Sequence, residues 1–275
     1  MTTEKNDTQV STEGGLVFWS AAAANRSLLI TGLTEAGFDS KWVQDMVPQQ
    51  TQYVALRDAL KKVYDGGSYL VRPVKGGRTR LTVVRETPGE SHEEGNEYET
   101  ILNVRVPEGD DPVLSAGEDV SSQYERERGI VPASVLGGVL KSIVSDLSGV
   151  SLRSRGGVYY LRQHALSEWR KVQDAVRKAT HYDADVYLLR SQVDVETVRA
   201  LTAGLSREAN AIKESVDAVI DAERDPEKVL NSVRATAKKL REYREVIGNS
   251  AESVEKLLEE TEANLDAAAL LAAAV

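Results

Sequence analysis

At 275 residues, with 41% hydrophobic and 28% charged residues and a formal net charge of −9, the chain is long enough to bury a core. Its acidity excludes nucleic-acid binding over the whole surface but leaves room for a local basic patch. The absence of cysteine excludes disulfides, thiolate metal ligands, iron–sulfur clusters and cysteine nucleophiles.

Residues 1–14 are polar and acidic, the composition of a disordered tail, and lack the apolar core of a signal peptide. "GLVFWSA" then reads as a buried strand, because Val17, Phe18 and Trp19 are strong strand formers. Thr34 before "EAGF" predicts a short helix, and "TQYVALRDALKKVY" a longer one with Tyr53, Leu56, Leu60, Val63 and Tyr64 on one face. "SYLVRPV" and "TRLTVVRET" are strand-like and joined through Lys75-Gly76-Gly77-Arg78, a hairpin turn. "ETILNVRV" is a third strand, after the polar loop "PGESHEEGNE". From Pro107 to Arg128, Gly, Asp, Glu and Ser dominate, and the segment reads as a linker or exposed excursion.

"VPASVLGGVLKSIVSDL" predicts a helix with Pro132 in its first turn and Val135, Val139, Ile143, Val144 and Leu147 in one stripe. A Gly156-Gly157 hairpin, a helix from about Ala165 to Ala179, and a strand in "DADVYLLRSQV" follow. From Val195 onward three helices are expected, with near-heptad stripes, Pro226 opening the second and Asn249/Glu252 forming a capping box for the third. The predicted fold class is α+β. A small, mostly antiparallel sheet with flanking helices occupies 15–193, with the acidic excursion 107–128 inside it. An antiparallel helical hairpin or three-helix, coiled-coil-like bundle follows over 194–275. The longest apolar stretch, "LDAAALLAAAV", is too short to cross a bilayer, so a soluble cytoplasmic protein with no membrane partner is expected.

Charge is segregated. Gly66 to Arg85 carries five basic residues (Arg72, Lys75, Arg78, Arg80, Arg85) and no acid, and Ser151 to Thr180 carries seven against two, whereas Glu86 to Arg128 has thirteen acids against three bases. Each basic segment contains a Gly-Gly hairpin. Lys75, Arg78, Arg80, Arg153, Arg155 and Arg162 are therefore the candidate nucleic-acid contacts, provided the hairpins turn to one surface. The competing reading makes the second hairpin a core element whose tyrosines fill the interior and whose arginines are solvated; that reading is preferred. Tyr159 and Tyr160 alternate faces, so at most one is open to stack on a base.

No catalytic constellation emerges: there is no phosphate-binding Gly-Lys loop, no G-x-S-x-G and no H-E-x-x-H. His92 among acidic residues reads as a solvated tip rather than a calcium site. His181, Asp183 and Asp185 alternate, as a metal-dependent nuclease on a strand would need, but a helix terminus followed by a loop is the favoured reading. No metal or cofactor is expected.

Three segments, "LVFWSA", "YVALRDALKKV" and "VSLRSRGGVYYLR" with its following helix, together resemble an uncharacterised family encoded mainly by bacteriophages and related mobile elements, over roughly residues 15–220. That resemblance implies a setting, a mobile-element protein acting inside a bacterial cell, and no activity or site residue. The function expected from the residues is a non-enzymatic binding protein. It would touch nucleic acid or a nucleic-acid-processing complex through the basic hairpins and use the C-terminal helices for assembly or for a protein partner. The alternative is a protein-only factor that sequesters a host protein.

Overall fold

The computed structural model describes residues 13–74, 77–89, 95–109, 117–220, 226–248 and 251–273. Within these the chain forms two compact units: one takes in the chain up to Ser20, Gly137–Asp174 and the chain from Asp185, and the other Ala21–Leu136 with Ala175–Ala184. All strand pairs described are antiparallel.

The first unit is built on β1 (Glu13–Ser20), which pairs on one side with β8 (Tyr159–Arg162) and on the other with β9 (Asp185–Gln192); β7 (Val150–Ser151) completes the order β7-β8-β1-β9. Strand β1 thus begins at Glu13, inside the segment with tail composition, because Glu13 to Ser20 ladder against Gln192 to Asp185. Alternation sorts the two faces. Leu16 lies opposite Tyr160, which lies opposite Val150. That face receives Leu201, Leu205, Leu240, Tyr243, Ile247 and Val254 from α7 (Val195–Ile220), α8 (Pro226–Ile247) and α9 (Ala251–Ala273). On the reverse face Trp19 stacks on Tyr159 with ring centres 5.3 Å apart and planes 3° from parallel, and sits 6.0 Å from Trp169 of α6 (Leu166–Ala179). The Gly-Gly-Val-Tyr-Tyr hairpin is therefore a core element: Tyr160 is fully buried and Tyr159 spends a ring face on Trp19.

The expected C-terminal helices are present. Asp194 caps α7 by accepting from the Thr197 N–H at 2.7 Å, and hydrogen bonds to Thr197 hold its carboxyl below the usual range. Ion pairs Arg241–Glu262 and Arg244–Glu255 set α8 and α9 antiparallel. Ile212 and Val216 meet Val229 and Val233 at one end of the bundle, while Leu201 and Leu205 meet Tyr243 and Ile247 at the other, so α7 and α8 are antiparallel as well. These helices belong to the same unit as β1, across the sequence boundary at 193/194. Asn249 of the expected capping box lies outside the described residues.

One buried hydroxyl in this core is unpaired. Tyr160 Oη has no hydrogen-bond partner among the described residues, and burial pushes its phenol up to about 12. Deleting an unsatisfied buried group removes a desolvation cost of about 1–3 kcal/mol. Tyr160→Phe is therefore expected to leave stability unchanged or raise it, as read by urea denaturation; a clear loss would show that the hydroxyl has a partner.

In the second unit, β3 (Tyr69–Pro73), β4 (Arg80–Thr87) and β5 (Glu97–Arg105) form a sheet in that order. Leu81, Val83 and Val104 of its inner face pack on Ala55, Leu56, Ala59 and Leu60 of α3 (Gln52–Val63) and on Val120 and Tyr124 of α4 (Glu118–Arg128). A short pair, β2 (Ala24–Asn25) with β6 (Ile130–Val131), ties in α1 (Arg26–Glu35).

Two expectations fail here. Thr34 does not start a helix: its hydroxyl bonds back to the Ile30 carbonyl at 2.8 Å inside α1, whose cap is Asn25, accepting from the Leu28 N–H at 3.0 Å. The next helix, α2 (Ser40–Met46), is capped by Asp39. Residues 107–128 are not simply an excursion, because α4 occupies 118–128 and buries Val120, Tyr124 and Glu127 at helical spacing. The buried Glu127 carboxylate takes Lys62 at 2.8 Å and Gln123 at 2.6 Å, so an acidic residue sits on the inward stripe and hides its periodicity. The α5 helix (Ala133–Asp146) and α6 run as expected.

Candidate nucleic-acid interface

Strand register decides where the first hairpin's cations go. Arg72 lies opposite Thr82, which lies opposite Asn103; Arg80 lies opposite Arg105. Leu81, Val83 and Val104 occupy the inner face, so Arg72, Arg80, Thr82, Asn103 and Arg105 share the outer one. Arg78 does not join them: its guanidinium lies 5.7 Å from the ring centre of Tyr53 on α3, the helix packed on the inner face. Lys75 lies outside the described residues.

The outer face also carries an anchored aromatic. The Arg72 guanidinium lies over the Tyr98 ring, 4.7 Å from its centre. Tyr98 Oη donates to Glu86 Oε1 at 2.9 Å, and Asn96 Nδ2 donates to the same oxygen at 2.5 Å. These bonds, Asn96 first, hold the Glu86 carboxyl below the usual carboxylate range. Between the rows of Arg72 and Tyr98 lies that of Leu70, Val84 and Thr100, and Val84 is only 8% exposed although it belongs to the outer face. Arg105 is paired with Glu108, which relieves the like charge of Arg80 directly opposite.

The second hairpin spends its cations differently. Arg162 reaches Glu245 of α8 at 3.4 Å. Arg153 folds over its own turn: a side chain at Gly156 would come within 3.6 Å of its guanidinium, and Ser151 Oγ donates to its carbonyl at 2.9 Å. Arg153 and Arg155 remain exposed. The five described candidates are divided between the two units: Arg78 lies over Tyr53 and Arg162 reaches Glu245, each inside its own unit, Arg80 is on the outer face of its sheet, and Arg153 and Arg155 are at a turn of the other unit. Sequence reasoning misses Arg105 and Tyr98. Alternation in "ETILNVRV" places Asn103 and Arg105 on one face, but which face stays open depends on α3 and α4.

His181 and Tyr182 adopt left-handed backbone (φ 53° and 70°) where α6 ends, with the Tyr182 N–H on the Arg177 carbonyl at 2.7 Å; Asp183 is in the turn and Asp185 begins β9. His181, Asp183 and Asp185 therefore do not line one strand face. Among the described residues no group of three or more His, Asp or Glu is placed to hold a metal, and His92 lies outside them. No helix among the described residues is long and apolar enough to cross a membrane.

A family model described as a family of unknown function (DUF6744) matches residues 14–275. The chain belongs to this family. Its match takes in both units and the C-terminal helices, beyond the 15–220 covered by the sequence resemblance. No curated protein and no solved structure matches the chain.

Proposed function

We propose that this member of the family is a non-enzymatic binding protein that meets nucleic acid, or a complex that processes it, through the outer face of β3–β5. The observation that carries this reading is the grouping of Arg72, Arg80 and Arg105 with Thr82 and Asn103 on one exposed sheet face of an acidic chain. Cations fixed at strand spacing neutralise phosphates, and the Asn103 amide donates to phosphate and sugar oxygens, whereas the Thr82 hydroxyl already donates to the Leu102 carbonyl at 3.2 Å. Arg153 and Arg155 supply a second, separate basic turn. The C-terminal helices serve assembly, and the setting is the bacterial cytoplasm, with the gene carried by a phage or mobile element.

The test is binding of labelled duplex and single-stranded oligonucleotides from about 50 to 200 mM salt. Arg80→Ala/Arg105→Ala is expected to weaken binding and to flatten the salt slope by about 1.5, at roughly 0.7–0.9 for each phosphate that is no longer neutralised. Arg153→Ala/Arg155→Ala serves as the comparison. A wild-type protein with no affinity and no salt slope would end the nucleic-acid reading.

A second reading, capture of a protein partner, is favoured by strand β9, which ends the sheet order and exposes Tyr187 by 40% and Leu189 by 52%. Under it, Leu189→Ser abolishes capture of the partner and leaves oligonucleotide binding intact, as read by affinity purification from bacterial lysate.

A further inference from the structure

We infer that the ligand of the β3–β5 face is single-stranded nucleic acid, with a base stacked on the Arg72–Tyr98 pair; the inference rests on the nucleic-acid reading above. Three antiparallel strands laid side by side span about 10 Å between the outer backbones before side chains are added. The major groove of a duplex admits an α-helix or a two-stranded ribbon, so this face does not enter it broadside. A single strand, whose bases are free to splay, lies on such a face without that constraint.

The face is also polarised along its strands. At one end Arg80 and Arg105 stand opposite each other; at the other, Tyr98 is 50% exposed and tethered through its hydroxyl to Glu86. Phosphates run over the arginine end, where two cations stand against the one carboxylate of Glu108, whereas at the tyrosine end the Glu86 carboxylate offsets Arg72. The tyrosine end instead offers a π surface with one guanidinium already over it, and both rings and guanidinium planes stack bases. The tether matters, because a ring fixed before binding loses less freedom on stacking. Thr100 and Asn103 lie between the two ends and offer hydrogen-bonding groups to sugar and base edges.

The experiment compares a labelled thymidine homo-oligonucleotide with the matched duplex by fluorescence anisotropy, using the full chain and its Tyr98→Leu and Tyr98→Phe variants. Tyr98 is half exposed, so both variants are expected to keep the wild-type circular dichroism and melting temperature. The expected result is tighter binding of the single strand than of the duplex. Tyr98→Leu should weaken single-strand binding about tenfold with little effect on duplex, and Tyr98→Phe, which keeps the ring but loses the tether to Glu86, should fall between Tyr98→Leu and wild type. Equal binding of the two forms, or a Tyr98→Leu variant that matches wild type, overturns the inference; a loss confined to Arg80→Ala/Arg105→Ala would then leave the broader nucleic-acid reading standing. No binding of either form removes both.

Discussion

Gly204→Ala is expected to destabilise the protein by about 2–3 kcal/mol, against the sign that helix propensity alone predicts. Gly204 lies within α7, where replacing glycine by alanine ordinarily gains about 1 kcal/mol. Here α7 is pressed on β7: a Cβ at residue 204 would stand 2.5 Å from the Ser151 carbonyl oxygen and 2.7 Å from Val150 Cγ1. The carbonyl cannot rotate away, because it is main chain and also accepts from Arg207 at 3.0 Å. Relief requires lifting the helix, which opens the packing between Leu201, Leu205 and the sheet residues Val150 and Tyr160. Guanidinium denaturation followed by far-UV circular dichroism checks this. A variant as stable as wild type, or more stable, would mean that α7 does not seat on β7 this closely.

Lys239→Met is expected to cost about 2–3 kcal/mol, below the roughly 3–5 kcal/mol typical of a fully buried pair because Glu208 keeps some solvent. Lys239 is 7% exposed. It donates to the Gly149 carbonyl at 2.9 Å and to Glu208 at 2.8 Å, with the Glu208 side chain 26% exposed. Removing the ammonium leaves a carboxylate and a main-chain carbonyl in a poorly solvated place. The double variant Lys239→Met/Glu208→Leu removes the stranded carboxylate and should recover part of the loss. The remaining deficit is the orphaned carbonyl of Gly149. Tryptophan emission during denaturation reports on this unit through Trp19 and Trp169, and on the other through Trp42 of α2, so it is read beside the same signal from a Trp42→Phe background. A double variant no more stable than Lys239→Met would show that the carboxylate left behind at Glu208 is not what destabilises the single variant.

Most elements with a clean apolar period are legible. The α3 helix, strands β3, β4 and β5, and the three C-terminal helices each announce themselves through side chains that alternate or recur on one face. The failures have a common cause. In α4 an inward position is held by Glu127, and a polar side chain satisfied by Lys62 and Gln123 is indistinguishable in sequence from a solvated one. In α1 a threonine inside a helix reads as a cap, because the two uses of its hydroxyl differ only in which carbonyl or N–H lies within reach.

The candidate site divides in the same way. The concentration of arginines on two glycine turns is visible in the sequence; their destinations are not. Arg78 goes to Tyr53, Arg162 to Glu245 and Arg153 back over Gly156, each for a partner set by packing or by a turn's curvature. Arg105 and Tyr98 enter because strand pairing brings β5 beside β4, and the contact of Arg72 with Tyr98 joins residues on the two outer strands of the sheet.

By itself the sequence determined the local alphabet: where the backbone helices and extends, where it turns, and that charge is segregated, since these follow from propensity and side-chain period over a few residues. Only the tertiary structure decided that the glycine hairpin with two tyrosines is a core strand pair, that the C-terminal helices share a core with β1 and β8, and which arginines face outward. Each of those outcomes depends on which distant side chains compete for the same surface, and burial and charge pairing are settled in three dimensions.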